Sequence, residues 1–141
     1  MDFAHDRMTG ELLERLDSFM NDRVYPREIE LEAQLAASPA SWAPPPVVEE
    51  LKLEARERGL WNLFLPGTEG AGRTKGLRAP VCELLGRSPR LAPAATNCAA
   101  PDTGNMELLS AYGTTAQKAD WLDPLLDGSI RSSFCMSEPD V

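Results

Sequence analysis

The spacing of apolar residues constrains this chain more than any other feature. Through most of residues 1–128 these residues recur three or four positions apart, which places them on one face of an α-helix. Alternation of apolar and polar residues, the pattern of a half-buried strand, is convincing only from Ile130 onward. The sequence therefore predicts a mainly α-helical domain over residues 1–128, followed at 129–141 by the start of a different kind of structure.

Proline and glycine divide the helical pattern at its N-terminal end. Thr9 is a suitable N-cap for a first helix, and Pro26 predicts a kink or an end near Tyr25. Apolar residues at helical spacing then indicate that the helix resumes: Ile29, Ala33, Leu35 and Ala36. The proline-rich stretch 38–46 predicts a stiff connection without helix.

Proline, glycine and capping residues also predict the ends of the later helices. Pro46 is placed to open a helix and Gly59 to close it, and the strongly apolar run 60–66 follows as a short buried segment. Further helices are expected at 77–85 and 103–112, separated by a mostly irregular stretch with three prolines at 88–101. Thr114 with Gln117 forms a capping-box pattern for the last helix. Three tryptophans are expected to be core or interface anchors: Trp42, Trp61 and Trp121.

Composition narrows the class of protein. Hydrophobic residues make up 43% of the 141 residues, which suffices for the core of one domain. The net charge of −8 repels phosphate, so nucleic acid is not expected as a partner. No apolar run approaches the ~20 residues that span a bilayer, and the N-terminus has neither a signal-peptide core nor an acid-poor transit composition. The cysteines lack a CxxC pattern and indicate free thiols in a reducing compartment: Cys82, Cys98 and Cys135.

Three local patterns have possible chemistry of their own. Residues 67–74 nearly match a phosphate-binding P-loop, but Arg73 replaces its lysine and Pro66 interrupts the entry, so a flexible loop is favoured. Cys98 as a nucleophile would need a base, and His5 is the only histidine, which also argues against a metal site. A solvated helix face is the simplest interpretation of four glutamates: Glu49, Glu50, Glu54 and Glu57.

Motifs along nearly the whole chain resemble those of the acyl-CoA dehydrogenase family, and they occur in the family's order. The segment 130–141, with its Ser-Glu-Pro triplet, is similar to the family's flavin-binding signature. Residues 59–66 resemble a Gly-Leu…Pro segment, and residues 113–126 resemble a helix pair that contains Gln-Lys and Pro-Leu steps. Residues 100–107 and the final Asp-Val are similar to a subgroup, acyl-CoA dehydrogenase family members ten and eleven.

This resemblance implies a fold and a reaction. The family has an N-terminal helical domain, a middle β-domain and a C-terminal four-helix bundle, so the chain would cover the first (1–128) and the truncated opening strand of the second (129–141). The implied reaction is α,β-dehydrogenation of acyl-CoA thioesters in fatty-acid oxidation, with FAD as hydride acceptor. The family's catalytic glutamate lies in the C-terminal bundle, so no catalytic residue is expected here and the chain alone is expected to be inactive.

The resemblance also implies site residues and partners. Three positions match those that line the flavin ring: Phe134, Met136 and Ser137. Three positions match a stretch that borders the acyl chain: Ala99, Ala100 and Thr103. The implied partners are acyl-CoA, an electron-transfer flavoprotein and further copies of the full-length protein. An intracellular location is expected, cytoplasmic in a bacterium and mitochondrial or peroxisomal in a eukaryote.

Two alternatives stay open at the level of sequence. The chain could be a naturally short, non-catalytic interaction module, in which a partner covers the strand that carries Phe134. It could also be part of an acyl-CoA oxidase, which differs in whether oxygen reaches the reduced flavin. No residue of the sequence distinguishes the oxidase from the dehydrogenase.

Overall fold

The computed structural model describes residues 6–38, 43–65 and 78–137, and all regular elements in these ranges are helical. The mainly α-helical fold predicted from the apolar spacing is confirmed. The described α-helices are α1 (Arg7–Phe19), α2 (Glu28–Ala37), α3 (Pro46–Glu57), α4 (Arg78–Leu85), α5 (Ala92–Ala95), α6 (Asp102–Tyr112), α7 (Thr115–Gln117) and α8 (Asp123–Asp127).

Helix α1 begins earlier than its sequence suggests. The carboxylate of Asp6 accepts a hydrogen bond from the Thr9 backbone amide at 2.8 Å, so Asp6 is the N-cap and Thr9 lies in the first turn. The prediction of Thr9 as the cap was therefore wrong. The physical reason is that a carboxylate at this position satisfies an unpaired amide and also interacts favourably with the helix dipole.

The interruption predicted at Pro26 is confirmed. A π-helical turn at Met20–Val24 and a 3₁₀ turn at Tyr25–Arg27 separate α1 from α2. Because Pro26 has no N–H to donate and its ring crowds the preceding turn, the regular α-helical ladder cannot run through it. The helical path nevertheless resumes at Glu28, as the sequence predicted.

Helix α3 has both predicted ends. Pro46 occupies the first helical position, and Gly59 follows the last turn with a φ of +66°. The Leu60 amide donates to the Ala55 carbonyl at 2.8 Å and the Gly59 amide donates to the Arg56 carbonyl at 3.0 Å. These two bonds form a Schellman motif, which needs a residue without a Cβ penalty at the left-handed position.

Two apolar clusters hold the helices together. The large cluster joins helices α1 to α5 through buried side chains that include Leu16, Phe19, Val47, Leu51 and Val81. The small cluster lies between the run after α3, helix α6 and the last helices: Phe64, Leu65, Met106, Leu122 and Leu125. Cys98 packs against both clusters, so residues 96–101 form the junction between them.

Residues 88–101 are mostly irregular, as predicted, and contain one short helix. Helix α5 occupies Ala92–Ala95, and the Ala92 amide already donates to the Ser88 carbonyl at 3.0 Å. Pro93 lies in the first turn of α5, where its missing N–H costs nothing. The prolines that suggested an irregular stretch are therefore compatible with a short helix.

The predicted strand near the C-terminus is not present in the described residues. Residues 130–137 form neither helix nor strand. The alternating pattern was interpreted correctly as non-helical, but a strand requires a second strand as a hydrogen-bonding partner. Within 6–38, 43–65 and 78–137 every regular element is a helix, so this segment has nothing to pair with.

Candidate functional site

A groove lies at the junction of α2, the start of α3 and residues 89–100. Its volume is about 540 Å³, and Ala99 and Ala100 line it together with Arg131. The remaining lining is mostly apolar: Leu31, Leu35, Pro44, Pro45, Val48, Pro89, Pro93, Ala94 and Cys98, with Arg90 as a second arginine. Two of the three residues predicted to border an acyl chain therefore share one groove.

Thr103 lines a different, smaller cavity. This cavity has a volume of about 180 Å³ and lies between helices α4 and α6, with Phe64 and Val81 among its walls. It shares Pro89, Pro93 and Cys98 with the large groove. The structure thus places the three predicted acyl-lining residues around two adjacent spaces.

The three predicted flavin-lining residues lie together on the segment that follows α8. Phe134 is 66% exposed, Met136 is 79% exposed, and Ser137 is also exposed. None of them belongs to the lining of the groove or of the smaller cavity. The segment consequently exposes an aromatic ring, a thioether and a hydroxyl on the surface of the domain.

Asp102, at the start of α6, forms hydrogen bonds to Arg131 and Ser132, the residues that precede this exposed part of the segment. Its carboxylate accepts hydrogen bonds from the Ser132 amide at 2.7 Å, from Ser132 Oγ at 2.6 Å and from Arg131 Nε. Asn105 Nδ2 donates to Ser132 Oγ at 2.8 Å. We call these four residues the Asp102 cluster. It connects the groove that contains Arg131 with the segment that carries Phe134.

Sequence reasoning missed the Asp102 cluster. Its one visible signal is an acidic residue in the first turn of a helix, which the helix dipole favours but which also occurs where no site exists. The pairing with Arg131 and Ser132 joins positions about thirty residues apart and depends on the packing of the last helices against α6. No local pattern could have revealed it.

A second polar network supports the C-terminal end of α8. Asn97 Nδ2 donates to Asn62 Oδ1 at 2.7 Å and to the Leu125 carbonyl at 2.9 Å. The Leu126 carbonyl accepts from Asn62 Nδ2 at 2.9 Å and from the Trp61 indole at 2.8 Å. Both asparagines are buried and have positive φ angles of 53° and 55°. The network therefore provides donors for the Leu126 carbonyl and a second donor for the Leu125 carbonyl, which also accepts from the Gly128 amide at 2.9 Å.

The tryptophans differ in their surroundings. Trp61 is half-buried and hydrogen-bonded, with the Arg56 guanidinium 4.1 Å from its ring centroid, so it is an internal anchor as predicted. Trp121 is 57% exposed, which leaves only the interface role of that prediction possible for it. Trp42 lies outside the described residues, as does the P-loop-like stretch 67–74.

Three glutamates of α3, Glu49, Glu50 and Glu54, belong to surface ion pairs. Arg23 Nε donates to Glu54 Oε2 at 2.6 Å, and Arg27 bonds both Glu30 and Glu50. Hydrogen bonds from Arg23 hold the pKa of Glu54 below its usual range, and those from Arg27 do the same for the pKa of Glu30. Glu30 and Glu54 are therefore ionised at neutral pH, and neither is poised as a general acid.

Cys98 is not an activated nucleophile. Burial is the main cause that raises the pKa of its thiol. The thiol also donates a hydrogen bond to the Thr96 carbonyl, with 3.4 Å between Sγ and the oxygen, which favours its protonated form. The thiol is thus protonated at neutral pH, whereas nucleophilic cysteines need a lowered pKa. No cluster of potential metal ligands occurs among the described residues, and no helix in that part of the chain is long and apolar enough to cross a membrane.

Comparison with known proteins identifies the family. Residues 9–129 match the family model described as acyl-CoA dehydrogenase, N-terminal domain. This chain belongs to the acyl-CoA dehydrogenase family. The resemblance inferred from its motifs is confirmed, and its helices are those of the N-terminal domain of the acyl-CoA dehydrogenase fold.

Relatives show the same membership and how far it extends. The chain is 49% identical to "Probable acyl-CoA dehydrogenase FadE2" of Mycobacterium tuberculosis, a match that covers 100% of this chain and 34% of that protein. It is 50% identical to mouse acyl-CoA dehydrogenase family member 10 over 93% of this chain and 13% of the relative. A solved structure from Mycobacterium abscessus, assigned as an acyl-CoA dehydrogenase, matches with a TM-score of 0.87 and 44% identity, covering 99% of this chain and 36% of that one. The chain therefore spans about a third of its bacterial relatives.

Proposed function

We propose that this chain supplies one wall of the flavin and acyl-CoA site of an FAD-dependent acyl-CoA dehydrogenase, which oxidises the α,β bond of acyl-CoA thioesters. One structural observation carries the proposal beyond family membership. The exposed residues Phe134, Met136 and Ser137 closely follow Arg131 and Ser132. Ser132 is hydrogen-bonded to Asp102, and Arg131 lines the groove together with Ala99 and Ala100. A flavin-facing surface and an acyl-lining surface are thereby held next to each other.

The exposed segment has groups that suit a flavin. The isoalloxazine ring has apolar faces and polar edges, so Phe134 and Met136 would pack near it and the Ser137 hydroxyl would bond its edge. When bound, FAD supplies the acceptor for the hydride that leaves the substrate. This chain's residues would orient the cofactor and exclude water from one side of it.

The groove and the smaller cavity have walls that suit an acyl chain. Ala99 and Ala100 have small apolar side chains, and prolines and leucines form most of the surrounding wall, to which Arg90 and Arg131 add two charged groups. Thr103 borders the neighbouring cavity, whose lining is also largely apolar. Bulky replacement at Ala99 is therefore expected to shift the preference of the enzyme toward shorter acyl chains, and an unchanged preference would remove this assignment.

The proton acceptor of the reaction is not assigned to this chain. We therefore expect the 141-residue chain to show no acyl-CoA-dependent reduction of an artificial electron acceptor. Association into an oligomer and electron transfer to a flavoprotein are expected of the longer enzyme. Reduction of the artificial acceptor by the isolated chain would contradict this division of labour.

The first experiment isolates the protein from its natural source and measures its intact mass and flavin content. A mass well above 15.4 kDa, with bound FAD, is expected. In that protein Ser137→Val should lower FAD affinity, whereas the same substitution at Ser133 should leave it unchanged. Equal FAD affinity in wild type and the Ser137→Val variant would contradict the flavin assignment.

The exposed apolar residues also favour a second candidate function, that of a non-catalytic interaction module. Besides Phe134 and Met136, the exposed large apolar residues of the C-terminal region are Leu108, Tyr112 and Trp121. An apolar surface of this kind promotes association. A natural mass of 15.4 kDa together with self-association or a stable partner would support the module, and strictly monomeric behaviour at high concentration would count against it.

A further inference from the structure

Asp102 is the only buried carboxylate in the part of the chain that the structure describes, with 2% of its surface exposed. Removing such a charge from water is unfavourable unless hydrogen-bond donors surround it. All hydrogen bonds to its carboxylate come from two consecutive residues in the segment after α8, Arg131 and Ser132. A buried charge that is satisfied by one distant segment fixes the position of that segment.

The geometry of the cluster holds the segment after α8 against one place, the first turns of α6. Asp102 lies in the first turn of α6, where the helix dipole favours its negative charge, and Asn105 one turn later also bonds Ser132. The backbone amide of Ser132, and not only its side chain, donates to Asp102 at 2.7 Å. The main chain two residues before Phe134 is therefore held against α6, while residues 134–137 extend beyond it.

We propose that Asp102 is a positioning residue, which sets the flavin-facing residues 134–137 relative to the acyl-lining residues Ala99 and Ala100. Arg131 is the link, because it bonds Asp102 and also lines the groove that contains both alanines. The inference rests on the proposed function of residues 134–137. Because Asp102 is buried, it would act through Arg131 and Ser132.

The fastening can be tested in the 141-residue chain without any cofactor. Asp102→Asn keeps the shape of the side chain. It leaves only one acceptor oxygen, whereas the carboxylate has two oxygens that accept from three donors. Hydrogen exchange measured by mass spectrometry should become about tenfold faster in peptides that cover 130–137, with α1 to α3 unchanged. Asp120→Asn, the same change at an exposed residue, is the matched control and should leave exchange at 130–137 unchanged.

The positioning role is tested in the natural full-length protein that carries this chain. Asp102→Asn should weaken FAD binding about tenfold, because a loosely held segment must be ordered when the cofactor binds. Ser132→Ala removes one of the three donors and should produce a smaller loss of FAD affinity. Arg131→Gln removes the charge of the link but keeps an amide N–H that can donate to the Asp102 carboxylate, so it carries both measurements if the Asp102 variant does not fold.

The outcomes separate this inference from the proposed function. Unchanged exchange at 130–137 in Asp102→Asn would overturn the inference, whatever happens to FAD. Faster exchange with unchanged FAD affinity, in a protein whose Ser137→Val variant does lose flavin, would leave the proposed function standing and overturn the positioning role. If Ser137→Val also binds FAD normally, the proposed function fails and this inference fails with it.

Discussion

The large and the small apolar cluster are stabilised in different ways. The large cluster joins five helices through side chains that water hardly reaches, such as Leu16, Phe19 and Val47, each with 0% exposure. The small cluster has only five buried apolar members and is framed by buried polar groups, namely Asn62, Asn97 and Asp102. Hydrophobic burial maintains the first region, whereas specific hydrogen bonds determine the geometry of the second.

This difference indicates which side of the domain presents more apolar surface. Among the described residues, five of the eight exposed large apolar side chains lie in or after α6, and three lie on α1 to α3: Leu108, Tyr112, Trp121, Phe134 and Met136, against Met8, Ile29 and Leu53. Polar anchors hold the region around the small cluster in one arrangement although its buried apolar core is small. The large cluster thus serves as a scaffold, and the region around the small cluster presents the groups to which the proposed function assigns cofactor and substrate contacts. The following substitutions test that contrast.

Phe19→Ala should have the largest effect, because it removes a fully buried ring from the large cluster. Such substitutions cost about 3–5 kcal/mol, through lost burial and the cavity left behind. The measurement is the free energy of unfolding from urea denaturation followed by circular dichroism. Phe134→Ala is the control; since its ring is 66% exposed, a change within about 0.5 kcal/mol is expected. Equal losses in both variants would refute the distinction between scaffold and presented surface.

Asn97→Ala should have the next largest effect, on the polar side of the comparison. It leaves the Asn62 oxygen without the Asn97 donor, removes one of two donors to the Leu125 carbonyl and places alanine at a positive φ, which together cost about 2–3 kcal/mol. Asn97→Gly tolerates the backbone conformation, so it should be about 1 kcal/mol more stable than Asn97→Ala. Wild-type stability in both variants would mean that the network does not support α8.

Gly128→Ala should have a smaller effect at the same end of α8. Gly128 has a φ of +71°, and an added Cβ would lie 2.8 Å from Cζ2 of Trp61. The expected cost is about 1–2 kcal/mol, because the left-handed conformation is strained for alanine and the indole must move. Gly104→Ala is the matched control: it is helical with open space around it, so thermal denaturation should show a gain of about 0.5–1 kcal/mol.

Glu54→Gln should have the smallest effect, visible mainly as a change in pH dependence. Because Arg23 lowers the pKa of Glu54 in the folded state, this carboxylate contributes stability above the unfolded value of 4.5, and the contribution is lost as pH falls below it. Wild-type stability should therefore fall more steeply on acidification than that of the variant. Glu57→Gln, exposed on the same helix, should reproduce the wild-type slope. A wild-type slope in Glu54→Gln as well would show that water screens the ion pair completely.

Local rules predicted most of the helical framework correctly. Pro46 and Gly59 bound α3, Pro26 interrupts the first helical stretch, and the capping box of Thr114 with Gln117 is formed at both of its bonds. These features depend on residues within one turn of each other, so the sequence contains all the groups involved. Family motifs then added the domain type, which the family model confirms.

Two predictions were wrong, for different reasons. Asp6 took the capping role from Thr9 through a local hydrogen bond to the Thr9 amide, so both candidates were visible in the sequence. The alternating segment 130–137 formed no strand, because the described ranges contain no second strand to pair with it.

The sequence by itself determined where the helices begin and end, which faces are apolar and to which family the chain belongs. Periodicity, proline, glycine and capping residues act over a few positions, so they can be recognised in one dimension. Only the tertiary structure brought Asp102 to Arg131 and Ser132, and Asn97 to Asn62 and the end of α8. Those bonds join residues about thirty positions apart and form only after the apolar clusters have placed the helices, because a buried polar group takes whichever partner the packing brings to it.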